Sequence, residues 1–153
     1  MHIRPTKNYE IIAKLNRHVH SLHAALYPKH FKKYNYPEVR ETFKYLIDND
    51  QFIFLLLEDH QEAIGYVWIE IIFYPENAFR SSYQSVYVHQ IGLRADQKKK
   101  GYGTLLMDEV YTIAKKNDIE LIELDYWFEN TDAKEFYKKH QFNNCREFVY
   151  KQL

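Results

Sequence analysis

Gly101 and Gly103 stand two residues apart, after the run Lys98-Lys99-Lys100 and at the head of the helix-like stretch Tyr102–Lys116. Glycines at a helix mouth leave backbone N–H groups bare, the helix dipole adds partial positive charge, and the lysines add more. Such a point binds phosphate. Other candidates are ionisable. Glu70 interrupts an otherwise apolar run, AIGYVWIEIIFY, and is either a solvent-face acid or an acid turned into a pocket. His20 and His23 would share one helix face, which makes a metal pair conceivable. No acid or cysteine lies close by to complete a ligand set, so they read as a polar helix face or pocket wall and no metal is expected. Cys145, the single cysteine, can form no internal disulfide; it reads as a small buried hydrophobe in a C-terminal strand.

The elements that must position these residues follow from apolar spacing. His2–Pro5 fits a short strand, and Ile12, Leu15, Val19 and Leu22 recur at helical spacing over about 9–22. Pro28 and Pro37 bracket a turn-rich segment, and a second helix spans about Glu38–Asn49. The period then changes. Phe52–Leu57 and Ala63–Tyr74 form an antiparallel hairpin, a loop follows at 75–82, and Tyr83–Leu93 is the strand that leads into the glycine loop. After the helix at Tyr102–Lys116 come a strand over Ile119–Trp127, a helix from Asn130 or Thr131 to His140, and a last strand around Phe148–Tyr150. The order describes an α/β or α+β domain over residues 1–153 with a mixed, mainly antiparallel central sheet flanked by helices.

Two phosphate-binding signatures fail against this pattern. A nucleoside-triphosphate loop needs G-x-x-x-x-G-K-[ST], whereas here the lysines precede the glycines. A dinucleotide fingerprint needs a third glycine and an early βαβ unit, whereas Gly101-Tyr102-Gly103 continues into Thr104-Leu105-Leu106 after three antiparallel strands.

Lys98-Lys99-Lys100-Gly101-Tyr102-Gly103 does resemble the signature loop of the GNAT superfamily of acyl-CoA-dependent N-acyltransferases: Arg or Gln, two residues, Gly, one residue, Gly or Ala. Lys98 replaces the Arg or Gln, and Lys99 stands where glycine is frequent. A second family element lies downstream in Asn130-Thr131-Asp132-Ala133-Lys134-Glu135-Phe136-Tyr137, followed by Gln141-Phe142 where Gly-Phe is usual. The resemblance implies the family fold, with two splayed parallel strands at its centre and acetyl-CoA held in the gap. It implies that Lys98, Lys99, Lys100, Gly101, Tyr102, Gly103 and Thr104 hold the pyrophosphate, and that Ile91, Gly92 and Leu93 run beside the pantetheine arm. Asn130, Ala133, Phe136 and Tyr137 would complete the cofactor contacts.

The chemistry implied is transfer of an acetyl group to a primary amine of a small molecule or peptide, by direct attack through a tetrahedral intermediate. Tyr137 matches the tyrosine that family members use as general acid. His89, Glu70 and Tyr87 are the candidate bases; His89 shares a face with Ile91 if the strand is regular, and a bulge there would spoil that parity. A non-catalytic acyl-CoA sensor is the competing reading, and the placed acid argues against it. Dimers are common in the family, so a homodimer is allowed.

Bulk properties agree. Lys and Arg total 21 against 21 Asp and Glu, which leaves no net basic footprint for nucleic acid. No apolar run reaches membrane-span length and the N-terminal residues lack a signal-peptide core, so the expectation is a cytoplasmic protein.

Overall fold

The computed structural model describes all 153 residues. The elements in chain order are β1 (His2–Pro5), α1 (Tyr9–Leu26), α2 (Tyr36–Ile47), β2 (Phe52–Asp59), β3 (Glu62–Tyr74), β4 (Tyr83–Leu93), α3 (Tyr102–Lys116), β5 (Ile122–Leu124) and α4 (Thr131–Lys139), with a one-turn 3-10 helix at Ala95–Gln97. Three helices begin on asparagine: the side chains of Asn8, Asn35 and Asn130 accept from the N–H groups of Ile11, Glu38 and Ala133. Each pairs a donor that the first helical turn would otherwise leave bare. α3 is the exception, opening on Gly101 with no side-chain cap.

The strands form one sheet in the order β1-β2-β3-β4-β5, antiparallel except for the parallel β4–β5 pair. Side chains alternate across it. Phe54, Leu56 and Tyr66 pack under α1 and α2 with Ile12, Ala13, Leu15, Phe43 and Ile47. Leu55, Leu57, Val67, Ile69, Val86 and Val88 pack under α3 with Leu106, Val110 and Ala114. Each of the larger of these side chains withdrawn from water contributes about 1.5–3 kcal/mol, so the two apolar layers hold the sheet between helices.

One irregularity positions the site. Trp68 is paired with Gln90 and Ile69 with Val88, so His89 is an extra residue on β4. This is a β-bulge. Val88 and Ile91 both belong to the α3 side, whereas Gln90 turns to the α1 side, where Asn16 Nδ2 donates to it at 2.8 Å and the Tyr66 hydroxyl also donates to it. Gly92 lies against Tyr66 too; a Cβ there would fall on the phenol ring.

Four expectations need correction. The strand expected over Ile119–Trp127 is reduced to Ile122–Leu124, because β5 leaves β4 after three residue pairs, Val86–Ile122 to Val88–Leu124. No strand forms around Phe148–Tyr150: residues 142–153 lack regular structure, and Phe148, Val149 and Tyr150 are exposed because no strand edge receives them. Cys145 is accordingly exposed, and the parallel pair lies at the edge of the sheet, not at its centre.

Candidate active site

The loop after β4 carries the strongest local constraint. Lys99 (φ 61°) and Gly101 (φ 87°) both adopt left-handed backbone, which turns the chain twice in three residues and opens α3. Gly101 meets nothing within 4 Å of a built Cβ, so its requirement is conformational. Gly103 is different: a Cβ there would meet the Phe136 ring at 3.1 Å. With no side chain capping α3, its first N–H groups face outward beside Lys98, Lys99 and Lys100, all exposed. Tyr102 packs on the core, and Thr104 Oγ1 lies 3.2 Å from His140 Nε2.

Beyond Val88 the two parallel strands separate, and β4 continues to Leu93 paired with β3 only. The Arg94 N–H donates to the Ile64 carbonyl across β3. Alternation then turns the backbone of Gly92 towards β3 and that of Ile91 and Leu93 towards the open side. Bare N–H and C=O groups therefore line the gap, and the phosphate-type loop stands at its end.

α4 closes the other flank. Asn130 is its N-cap, and Ala133 supplies the capped N–H. Phe136 spans from Gly103 to His140, its ring 4.5 Å from the imidazole. Tyr137 is only 9% exposed and stacks on Tyr126. Burial first, then the nearby Tyr111 and Asp125, push its phenol well above the ordinary tyrosine range, so it keeps its proton at any physiological pH.

On the α1 side of the sheet the bulge presents a dyad. His89 Nε2 lies 2.8 Å from Glu70 Oε2, and the imidazole stacks on Trp68 with centroids 4.4 Å apart. The parity expected between His89 and Ile91 is therefore lost, as a bulge dictates. Nε2 donating to the carboxylate leaves the Nδ1 lone pair available to accept a proton. Glu70 thus faces His89, and its side chain is 18% exposed. Tyr87 behaves otherwise: its hydroxyl donates to Asp125 Oδ2 at 2.6 Å, and burial together with that bond raises its pKa, which disqualifies it as a base.

Sequence reading missed Asp125 as Tyr87's partner and the aromatic clasp at the far end. Trp127 packs on Tyr27 and Phe31, with centroids 4.6 and 5.0 Å apart, and the Glu129 N–H donates to the Tyr27 hydroxyl. Their segments are separated by about a hundred residues in sequence, so no local spacing reveals them. His20 and His23 lie in this neighbourhood: His20 Nε2 donates to the Lys32 carbonyl, and His23 stacks on Phe31.

Residues 17–142 match the model of the Acetyltransferase (GNAT) family. The chain belongs to the GNAT acetyltransferase family. Family members use acetyl-CoA. The chain is 32% identical over 120 residues to an N-acetyltransferase of Methanocaldococcus jannaschii described as uncharacterized, covering 73% of this chain and 50% of that protein. It therefore spans about half the length of that relative. Its fold matches that of a Bacillus halodurans protein, BH1408, solved as a tetramutant, with a TM-score of 0.93 at 22% identity and full coverage of both chains. It also matches a predicted acetyltransferase from Clostridium acetobutylicum solved with acetyl-CoA, with a TM-score of 0.68 at 17% identity over 99% of this chain and 95% of that one.

Proposed function

We propose that this acetyltransferase moves the acetyl group of acetyl-CoA to a primary amine of a small molecule or peptide. The observation that carries the reading is the His89–Glu70 dyad at the β4 bulge, beside a gap flanked by Tyr137, whose phenol burial keeps protonated until a proton is called for. A pure acyl-CoA sensor needs neither.

The residues present fit coenzyme A. Uncapped N–H groups of α3 and the lysines suit a pyrophosphate, while the open backbone of Ile91 and Leu93 suits an amide-bearing arm laid along β4 as an added strand. Bound acetyl-CoA supplies the acyl group as an activated thioester.

The protein's own groups then divide the proton work. An amine reaches the site largely as ammonium and has no lone pair until it loses a proton. His89 Nδ1 accepts that proton, while Glu70 holds the ring in the required tautomer and stabilises the imidazolium. The Ile91 N–H, turned into the gap, is placed to donate to the oxygen that gains negative charge during attack. Tyr137 gives its phenolic proton to the departing sulfur, which restores a thiol, and the second proton that the nitrogen sheds as the amide forms returns to the phenolate through solvent. Proton removal and delivery occur on opposite sides of the gap.

The test is incubation with acetyl-CoA and a panel of primary amines while free thiol is followed. Thiol release that depends on the amine supports the reading. Cofactor binding with no release on any amine refutes it in favour of the sensor.

A further inference from the structure

Glu70, Tyr87 and Glu123 form a single row across β3, β4 and β5, since Glu70 is paired with Tyr87 and Tyr87 with Glu123. Alternation puts Tyr74 and Ser85 on the same face, with Ser85 in the next row, paired with Ile72. Three acids therefore meet around one phenol: Glu70, Glu123, and Asp125 through its bond to Tyr87. No lysine or arginine forms an ion pair with any of them, and Glu70's partner is His89. Arg146 of the C-terminal segment acts to lower the Tyr87 pKa, one positive charge against three carboxylates.

Two atoms in this face lack partners. Glu123 Oε1 is sealed from solvent and accepts no hydrogen bond. Ser85 is fully buried, and its Oγ lies beside the Tyr74 phenol without completing a hydrogen bond. A sealed carboxylate oxygen and a sealed hydroxyl without donors are costly unless a donor arrives from outside. The Glu123 oxygen can only accept, and the Ser85 hydroxyl can accept as well as donate, so a donor satisfies both, and beside three acids that donor is a cation.

We propose that this face is a second-charge subsite: the acceptor is a dication, with one amine at His89 Nδ1 and a second ammonium held by Glu123 and Ser85. This rests on the reading of the His89 side of the gap as the acceptor side. The Glu123 row lies two residues along β4 from His89, about 7 Å at the strand rise, which matches two amines joined by about four methylenes. The methylenes cross the Tyr87 ring, which stands between the two ends and whose centroid lies 4.9 Å from that of His89. Glu123 and Ser85 are thus specificity residues, and a carboxylate in place of the second amine would be repelled.

The test compares 1,4-diaminobutane, butylamine and 4-aminobutyrate, each with acetyl-CoA, by thiol release and by calorimetric binding in the presence of CoA. The wild type is expected to favour diaminobutane over butylamine by about a hundredfold in kcat/KM and to leave 4-aminobutyrate untouched. Glu123→Gln should shrink the diamine preference at least about tenfold, mainly through KM, with a parallel loss in calorimetric affinity. If that variant does not fold, Ser85→Ala should shrink the preference in the same direction. Thiol release without a diamine preference, or a preference that Glu123→Gln leaves intact, overturns the subsite while the acetyltransferase stands. Preferential diamine binding without thiol release from any amine supports the subsite and overturns the transferase reading.

Discussion

A Cβ added to Gly103 would stand 3.1 Å from the ring of Phe136, so the first turn of α3 and the middle of α4 meet with no room for a side chain between them. The two sequence elements that carry the family resemblance are therefore one structural contact. Gly103→Glu places both bulk and negative charge at this point and should abolish CoA binding. Calorimetry that returns unchanged affinity would remove the phosphate role of the loop.

Tyr137→Phe keeps the ring stacked on Tyr126 and removes only the acidic proton. Turnover is expected to fall by about a hundredfold or more, with CoA affinity changed little. Lost CoA binding with normal turnover of the remaining complex would instead make Tyr137 a packing residue.

The two places where the chain departs from glycine in the family pattern are both left-handed: Lys99 has φ 61° and Gln141 has φ 62°. A side chain in that region costs about 1–2 kcal/mol, partly offset by glycine's greater freedom in the unfolded chain. Gln141→Gly should therefore raise stability by about 0.5–1 kcal/mol, seen as a melting point about 1–4 °C higher. A lower melting point would show that Gln141 contributes a contact worth more than its strain.

His18, His23 and His140 all have pKa values lowered, in each case chiefly by burial. The unfolded chain then binds more protons than the folded one as pH falls below about 6.5, the ordinary histidine value, so stability declines with acidification through the lowered values. Urea midpoints taken at pH 7.5 and 5.5 should show the lower value at pH 5.5. A midpoint that rises with acid would contradict this sign.

Local periodicity identified the four α-helices and the β2–β4 meander, because each repeats its apolar spacing over eight residues or more. It failed where partners decide. Phe148-Val149-Tyr150 has strand-forming composition, yet it pairs with nothing, and composition cannot supply a neighbouring strand. The proposed catalytic pair was legible as residue types, since an acid in an apolar strand and a histidine before the glycine loop are both conspicuous. That His89 meets Glu70, and not the Ile91 side of β4, depends on one extra residue in the strand, which no spacing rule announces. Glu123, and the bond from Tyr87 to Asp125, escaped for a related reason: both depend on how the 122–125 stretch lies beside β4, and that register is tertiary.

β5 is held to the sheet by three residue pairs, while β3 and β4 are paired along most of their length. The cooperativity of the molecule is therefore uneven. Amides of β2 to β4 can exchange with solvent only when the whole domain opens, whereas those of β5 need only a local release of that short strand and its connection to α4. The wall of the gap on the β5 side is thus the part that yields first, and a ligand bridging β4 and α4 would be registered as slowed exchange there before any change in global stability.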